Sequence, residues 1–259
     1  MIFGSAKKKL TVYVWRMMIT TIFLSVWELG VRVKAFDAFY ISQPSEIYKD
    51  LINLFVTGEV LPHIAITMEE ALLGLVIGTI TGVSVGFGLG KFESVAKVLD
   101  PIIMALYGIP KLTLGPLFIL WFGMGIKSKV FIALISVFFL TFFSAYSGFK
   151  NVSPALIDTV RLMGATRGQI LRKIILPSCV PWLLSGLRAS LGAALLGAIV
   201  GEYIAANSGL GWMVSNASGM YNTTRVFSAI VILSALMAFL NYCVTLLDKR
   251  LLKWRVLTE

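Results

Sequence analysis

Ala65-Ile-Thr-Met-Glu-Glu-Ala-Leu-Leu-Gly-Leu-Val-Ile-Gly-Thr-Ile-Thr-Gly-Val-Ser-Val-Gly-Phe-Gly-Leu-Gly90 decides the architecture of this 259-residue chain. After Glu70 it carries no charge for twenty residues, about the length that crosses a bilayer as a helix. Gly74, Gly78, Gly82 and Gly86 recur every four residues and fall along one helix face. Such a stripe admits a second helix at close range, which is how helices associate where lipid removes the hydrophobic drive. Four glycines lower intrinsic helix propensity, so the stripe implies packing strong enough to override it.

Five further apolar stretches surround this one. They run from Leu10 to Val31, Val98 to Phe122, Lys129 to Tyr146, Trp182 to Ala205 and Val226 to Leu247. The Val98–Phe122 stretch is interrupted by Pro101, Pro110 and Pro116 and reads as a broken or partly re-entrant element, tolerable only where protein or a cavity satisfies its backbone. The Leu10–Val31 stretch follows Lys7, Lys8 and Lys9, as a signal peptide would. It is too long for a signal core, contains Arg16 and Glu28 and lacks a small-residue cleavage site, so it reads as an anchor. Composition agrees: 58% of residues are apolar and 14% charged, against about 45–50% and about 25% in soluble domains, and mean hydropathy is +0.86. The expectation is an all-α polytopic membrane protein of about six transmembrane helices, forming one domain over residues 1–259.

With the N-terminus inside, the inner segments hold fourteen of the 23 basic residues: Lys7, Lys8, Lys9, Lys91, Lys97, Lys150, Arg161, Arg167, Arg172, Lys173, Lys249, Arg250, Lys253 and Arg255. The outer segments hold Arg32, Lys34, Lys49, Lys127, Lys129 and Arg225. The positive-inside rule then places both termini in the cytoplasm. This asymmetry accounts for the net charge of +10 without a nucleic-acid partner, which would need a basic face on a soluble domain. Cys179 and Cys243 fall near cytoplasmic ends, where disulfides are disfavoured, and have no metal-ligand spacing. His63, the one histidine, reads as an interfacial residue. Asn216-Ala-Ser and Asn222-Thr-Thr match a glycosylation pattern that nothing else in the chain supports.

Between the fourth and fifth spans lies the most informative polar segment, Lys150-Asn-Val-Ser-Pro-Ala-Leu-Ile-Asp-Thr-Val-Arg-Leu-Met-Gly-Ala-Thr-Arg-Gly-Gln-Ile-Leu-Arg-Lys-Ile-Ile-Leu-Pro177. Ser153 and Pro154 suit a helix start. Leu156, Val160 and Met163 form an apolar stripe, with Asp158 and Arg161 facing elsewhere. After Gly164 a second amphipathic piece carries Ile170, Ile174 and Ile175, and Pro177 is expected to separate it from the next span. Two short helices meeting at a glycine can dock into a partner or rest on lipid headgroups.

This segment resembles the coupling signature of bacterial ABC importer permeases: Glu-Ala-Ala, three residues, Gly, nine residues, Ile, one residue, Leu-Pro. Here it reads Asp158-Thr159-Val160, Gly164, Ile174, Leu176 and Pro177, with the spacing intact and the opening three residues altered. Ala165 follows the glycine. The resemblance extends to the permeases of nitrate, sulfonate, taurine, bicarbonate, thiamine-precursor and riboflavin importers through Gln43-Pro44-Ser45, Ile109-Pro110, Gly115 to Gly125, Ser185-Gly-Leu-Arg188, Gly201-Glu202 and Ser208-Gly-Leu-Gly211. It implies a type I importer permease fold with residues 150–177 as a cytoplasmic coupling loop. It also implies a second copy of the chain, two cytoplasmic ATPase subunits that bind ATP and Mg2+, an extracytoplasmic solute-binding protein and a small solute. No GxxxxGK[ST] loop occurs in the sequence, so nucleotide chemistry is expected in the partner and no cofactor on this chain. A scaffold protein and a secondary transporter are the rivals, the latter disfavoured by the lack of evident inverted repeats.

Candidate pathway or gate residues are Glu70, Lys111, Arg188, Glu202, Gly209 and Gly211. Arg188 and Glu202, fourteen positions apart, lie about 21 Å from each other on a straight helix and are not expected to pair. Trp121 and Phe122 read as packing aromatics. The family often has arginine where Glu70 stands, and Glu28 and Glu69 add carboxylates. If these line the pathway they oppose an anionic solute; if Glu70 faces headgroups its charge is silent on cargo. An organic solute, sulfonate-like or a vitamin precursor, is expected over nitrate or bicarbonate.

Overall fold

The computed structural model describes residues 2–251, with side chains from 11 to 250. Lys7, Lys8 and Lys9 lie in the first helix before the described side chains, and Lys253 and Arg255 lie outside the described residues. No strand occurs among the described residues. Five helices are long and apolar enough to cross a membrane: Thr11–Arg32, Val60–Lys91, Ile126–Lys150, Arg167–Ala205 and Thr223–Arg250. A further pair among the described residues, Glu93–Gly108 and Lys111–Phe122, is bent by 77° and forms a broken sixth span or a re-entrant element. The six expected stretches are therefore all present, and the chain is a polytopic all-α protein. Contacts divide it into two compact units, one comprising the chain up to Leu61 together with Met213–Ile232, the other Pro62–Trp212 together with the chain from Leu233.

The first unit contains α1 (Ile2–Arg32), α2 (Ala38–Ile41) and α3 (Pro44–Val56). The start of α3 is held by α1: the Glu28 carboxylate accepts the Ser45 N–H at 3.0 Å and the Ser45 hydroxyl at 2.8 Å. An anion at a helix N-terminus satisfies orphan donors and complements the helix dipole. This gives Gln43-Pro44-Ser45 a structural reason, with Pro44 opening the helix, and makes Glu28 a cap rather than a pathway carboxylate. In the same unit Arg225 bridges Asp50 at 3.0 Å and Glu59 at 2.7 Å.

The second unit is built on α4 (Val60–Lys91), α5 (Glu93–Gly108), α6 (Gly115–Phe122), α7 (Ile126–Lys150), α8 (Pro154–Leu162), α9 (Arg167–Ile170) and α10 (Leu176–Ala205), with α11 (Leu210–Gly219) beginning in it and α12 (Thr223–Leu251) ending in it. The glycine stripe lies on α7 as its spacing predicts. A Cβ at Gly78 would sit 2.7 Å from the Leu134 carbonyl, and one at Gly86 2.7 Å from that of Phe142. On its other side α7 meets glycines of α10: a Cβ at Gly197 would sit 2.6 Å from Ala133 Cα, and one at Gly201 2.7 Å from Lys129 Cγ. Thus α7 is clasped by two helices whose small residues let backbones approach closely. Leu75, Val137, Leu191, Leu195, Ala198 and Leu240 share the resulting core.

The prolines sort by position. Pro110 sits at the break between α5 and the 3-10 turn Lys111–Leu114, and Pro116 in the first turn of α6, where its missing N–H costs nothing. Pro177 corrects the expectation. It does not separate the loop from the fifth span, because residues 167–205 run as one continuous helical segment that includes Arg167, Arg172 and Lys173. A π-helical turn at Leu171–Ile175 precedes it. The wider hydrogen-bond ring of that turn changes the pattern where Pro177 would otherwise leave a carbonyl unpaired.

Candidate coupling loop and carboxylate cluster

The loop between α7 and α10 contains a helix end and a helix start joined through four residues, Met163 to Thr166. Helix α8 ends at Leu162 and is closed by Gly164, whose φ of 86° lies in the left-handed region that costs L-residues with a Cβ. The Gly164 N–H donates to Arg161 O at 3.0 Å and the Ala165 N–H to Val160 O at 3.2 Å. These two bonds form a Schellman closure, with half-buried Val160 and Ala165 as its apolar pair. Thr166 then opens α9 with a capping box: the Gln169 N–H donates to Thr166 Oγ1 at 3.3 Å and the Thr166 N–H to Gln169 Oε1 at 2.8 Å. Asp158 and Arg161 form an exposed ion pair at 3.2 Å. Ser153 occupies the N-cap position but, against expectation, makes no side-chain cap bond, while Pro154 opens the first turn as expected.

The expected apolar stripe is not packed on this chain. Leu156 is exposed, and Leu162 and Met163, at the end of α8, are 90% and 80% exposed. The sequence pattern identified Met163 but not Leu162. Thr159 is also exposed, and Leu176 and Pro177 lie exposed at the start of α10.

A second cluster sits where α4, α7 and α10 meet the start of α11. Three consecutive backbone N–H groups there are taken by three side chains. Gly209 donates to His63 Nδ1 at 3.0 Å, Leu210 to Thr67 Oγ1 at 2.9 Å and Gly211 to Glu202 Oε2 at 2.6 Å. The Thr67 hydroxyl in turn donates to Glu202 Oε1 at 2.7 Å. The glycines of Ser208-Gly-Leu-Gly211 follow from this: Gly209 has φ of 103°, and a Cβ on it would run into the Glu202 carboxylate. A Cβ at Gly211 would lie 2.9 Å from Glu202 Cβ. Glu202 is 1% exposed, Glu70 3% and Lys129 4%. The Lys129 ammonium donates to Met124 O and sets a positive charge near both carboxyl groups. His63 stacks on Trp212, with centroids 5.2 Å apart.

The six pathway candidates therefore separate. Glu70, Glu202, Gly209 and Gly211 come together in this enclosed cluster. Lys111 lies at the break after α5, over the Tyr107 ring at 4.1 Å and the Phe139 ring at 5.0 Å. Arg188 pairs with Asp248 of α12; it does not meet Glu202, as its spacing required. Glu70 faces neither headgroups nor open space, so its charge reversal is a matter of internal packing. Trp121 and Phe122 join Phe118 and Phe131 in an aromatic cluster, with Phe122 and Phe131 centroids 4.9 Å apart. His63, Thr67 and Lys129 were not among the candidates. The signal for His63 and Thr67 was their spacing with Glu70, at positions i, i+4 and i+7 on one face of α4, whereas Lys129, on α7, had no such signal.

Five apolar spans and a bent pair, with an exposed helix and turn between the spans Ile126–Lys150 and Arg167–Ala205, define a multi-spanning membrane protein. The chain belongs to the family described as "Binding-protein-dependent transport system inner membrane component", which matches residues 60–253; it is a permease subunit of an ABC importer. It is 31% identical to the "Putative aliphatic sulfonates transport permease protein SsuC" of Bacillus subtilis (strain 168), over 92% of this chain and 87% of that one. It is 29% identical to the "Taurine transport system permease protein TauC" of Escherichia coli (strain K12), over 90% and 86%. The fold is that of a chain in the inward-facing MetNI methionine ABC transporter, with a TM-score of 0.66 at 19% identity, covering 74% of this chain and 95% of that one.

Proposed function

We propose that this permease works as a homodimer in a bacterial inner membrane, with both termini cytoplasmic, and that the Asp158–Gly164 region docks into a separate ATPase subunit on each copy. The observation that carries this reading is the exposed apolar end of α8, Leu162 and Met163, held rigidly by the Gly164 closure and the Thr166 capping box. Exposed apolar side chains on an ordered loop suit a partner's groove. Closure of the nucleotide-bound ATPase dimer would move the loop, and the loop would move α7 and α10, which it joins. ATP and Mg2+ belong to the partner in this scheme, and the chain carries out no chemistry of its own. An extracytoplasmic binding protein delivers solute, and the membrane halves rock to give alternating access.

The solute we assign is an organic sulfonate. Similarity to permeases named for aliphatic sulfonates and taurine supports it. The burial of Glu70 and Glu202, and the use of Glu28 as a helix cap, leave exposed Glu69 as the remaining carboxylate of the charge argument against an anion. The test pairs the permease with its ATPase and binding protein in proteoliposomes. Leu162→Asp/Met163→Asp is expected to reach the membrane, lose ATPase recruitment and lose uptake. Normal recruitment and uptake would overturn the docking assignment. Selective, tight binding of nitrate or bicarbonate by the cognate binding protein, with uptake through this permease, would overturn the solute.

A further inference from the structure

Two cavities adjoin at the end of α1 away from the N-terminus, and their linings differ in kind. The first, about 490 Å3, is lined by Arg32, Lys34, Asp37, Glu46, Ser42 and Phe36, among others. The second, about 420 Å3, is apolar and lined by Phe23, Val26, Trp27, Phe36, Ile41 and Phe227. Both are within the volume range of small-molecule sites, about 300–1,000 Å3.

Phe36 is common to both. Its ring lies over the backbone of Gly30, where a Cβ would sit 2.8 Å from it. Trp27 also joins them: its indole N–H donates to the Ser42 carbonyl at 3.2 Å, while its ring contributes to the apolar groove beside Phe227, at 5.5 Å between centroids. An amphipathic tryptophan in that position marks the level where acyl chains give way to headgroups. Phe23, Val26 and Trp27 share one face of α1, so the apolar groove runs along the transmembrane helix, below the polar cavity.

The polar cavity offers both signs of charge. Arg32 is paired with Glu28 at 2.8 Å and Glu46 with Lys49 at 2.9 Å. Lys34 makes no ion pair among the described residues, and Asp37 uses Oδ1 to cap α2 through the Phe39 N–H at 2.9 Å. An ammonium and a carboxylate on one cavity wall match a zwitterion, and the groove beneath matches an acyl chain. We infer that this is a binding site for an amine-bearing phospholipid, phosphatidylethanolamine, with its phosphate at Lys34 and Arg32, its ammonium at Asp37 and one chain against Trp27 and Phe36. This site shares no residue with the coupling loop, and its failure would leave the transport reading untouched.

Native mass spectrometry of the assembled transporter, titrated with phosphatidylethanolamine or phosphatidylglycerol, tests it. A retained phosphatidylethanolamine adduct is expected, with affinity about fivefold above phosphatidylglycerol, the size of one interfacial charge contact. Lys34→Gln and Asp37→Asn should each weaken it about fivefold, the latter while preserving the α2 cap because asparagine caps as well. Val26→Trp should fill the groove and displace the lipid with the headgroup charges intact. Equal retention of both lipids, or retention indifferent to all three variants, would overturn the site. Displacement by free phosphoethanolamine at comparable concentration would also overturn it, since the groove would then contribute nothing. So would an adduct on the isolated permease that disappears on assembly, which would make the cavity a protein contact.

Discussion

Glu202 Oε2 accepts the Gly211 N–H at 2.6 Å while its Oε1 accepts the Thr67 hydroxyl at 2.7 Å, so one buried carboxylate fastens the start of α11 to both α10 and α4. A glutamine here keeps one acceptor and turns its amide hydrogens toward a group that is itself a donor. An alanine leaves a buried N–H unpaired and opens a cavity. Glu202→Gln is expected to cost about 1–3 kcal/mol and Glu202→Ala more, read as lower thermal stability of the purified permease. An alanine variant as stable as the parent would show that this carboxylate is not a fastener.

Gly164 makes a sharper case, because geometry separates two reasons for a glycine. Its φ of 86° calls for one, yet no atom lies within 4 Å of where a Cβ would go. The sequence-based expectation of two short helices meeting there holds, but the constraint is the backbone angle and not lack of room. Asparagine, which tolerates the left-handed region, should therefore be far milder than valine. Gly164→Val is expected to cost about 1–2 kcal/mol of loop order, a five- to thirtyfold loss of the docking-competent form, seen as reduced stimulation of the partner ATPase. If Asn and Val prove equally damaging, bulk is the limit and the assignment fails.

Much of this was legible in the chain because membrane physics restricts the alternatives. Apolar runs longer than a bilayer is thick have few uses, and the four-residue period from Gly74 to Gly86 has one main reading. Of the three prolines expected to interrupt the third stretch, Pro110 marks the break, Pro116 opens α6, and Pro101 lies inside α5 without ending it. What escaped the reading was long-range polar pairing. Glu202 was read as a pathway or gate candidate, but it accepts from the Gly211 N–H and from Thr67, which is 135 residues away. Arg188 found Asp248, sixty residues on, and Glu28 turned out to cap α3. Helix α3 itself has the amphipathic pattern of a surface helix and is too short to register as a span. Pro177 misled because the π turn ahead of it alters the hydrogen-bond pattern that makes proline a breaker.

The glycine stripe provides its own control. A Cβ at Gly82 would crowd Thr141 Oγ1 and lie 2.5 Å from the Phe138 carbonyl, whereas at Gly88 it would meet nothing within 4 Å. Gly82→Ala is expected to destabilise by about 1–3 kcal/mol through overpacking. Gly88→Ala should be neutral or stabilising by up to about 1 kcal/mol, because alanine favours helix. Thermal unfolding of both variants in the same detergent decides it, and equal behaviour would mean that α4 does not pack on α7 along this stripe.

Arg188 was a pathway candidate, and its ion pair with Asp248 across α10 and α12 supplies a different role with a distinguishable signature. The Asp248 side chain is mostly enclosed, with Oδ1 lacking any hydrogen-bond partner, while Arg188 is about half exposed. Removing the arginine strands a largely buried carboxylate, whereas removing both partners strands nothing. Arg188→Met is therefore expected to cost about 1–2 kcal/mol, between the values for exposed and for buried pairs. The double variant Arg188→Met/Asp248→Leu should return close to the parent, giving a positive coupling in a double-mutant cycle. Solute uptake should follow stability across all of these variants if the pair is structural. If Arg188 instead contacts solute, uptake would fall in the double variant as much as in the single one while stability recovered, and that outcome would restore it to the pathway.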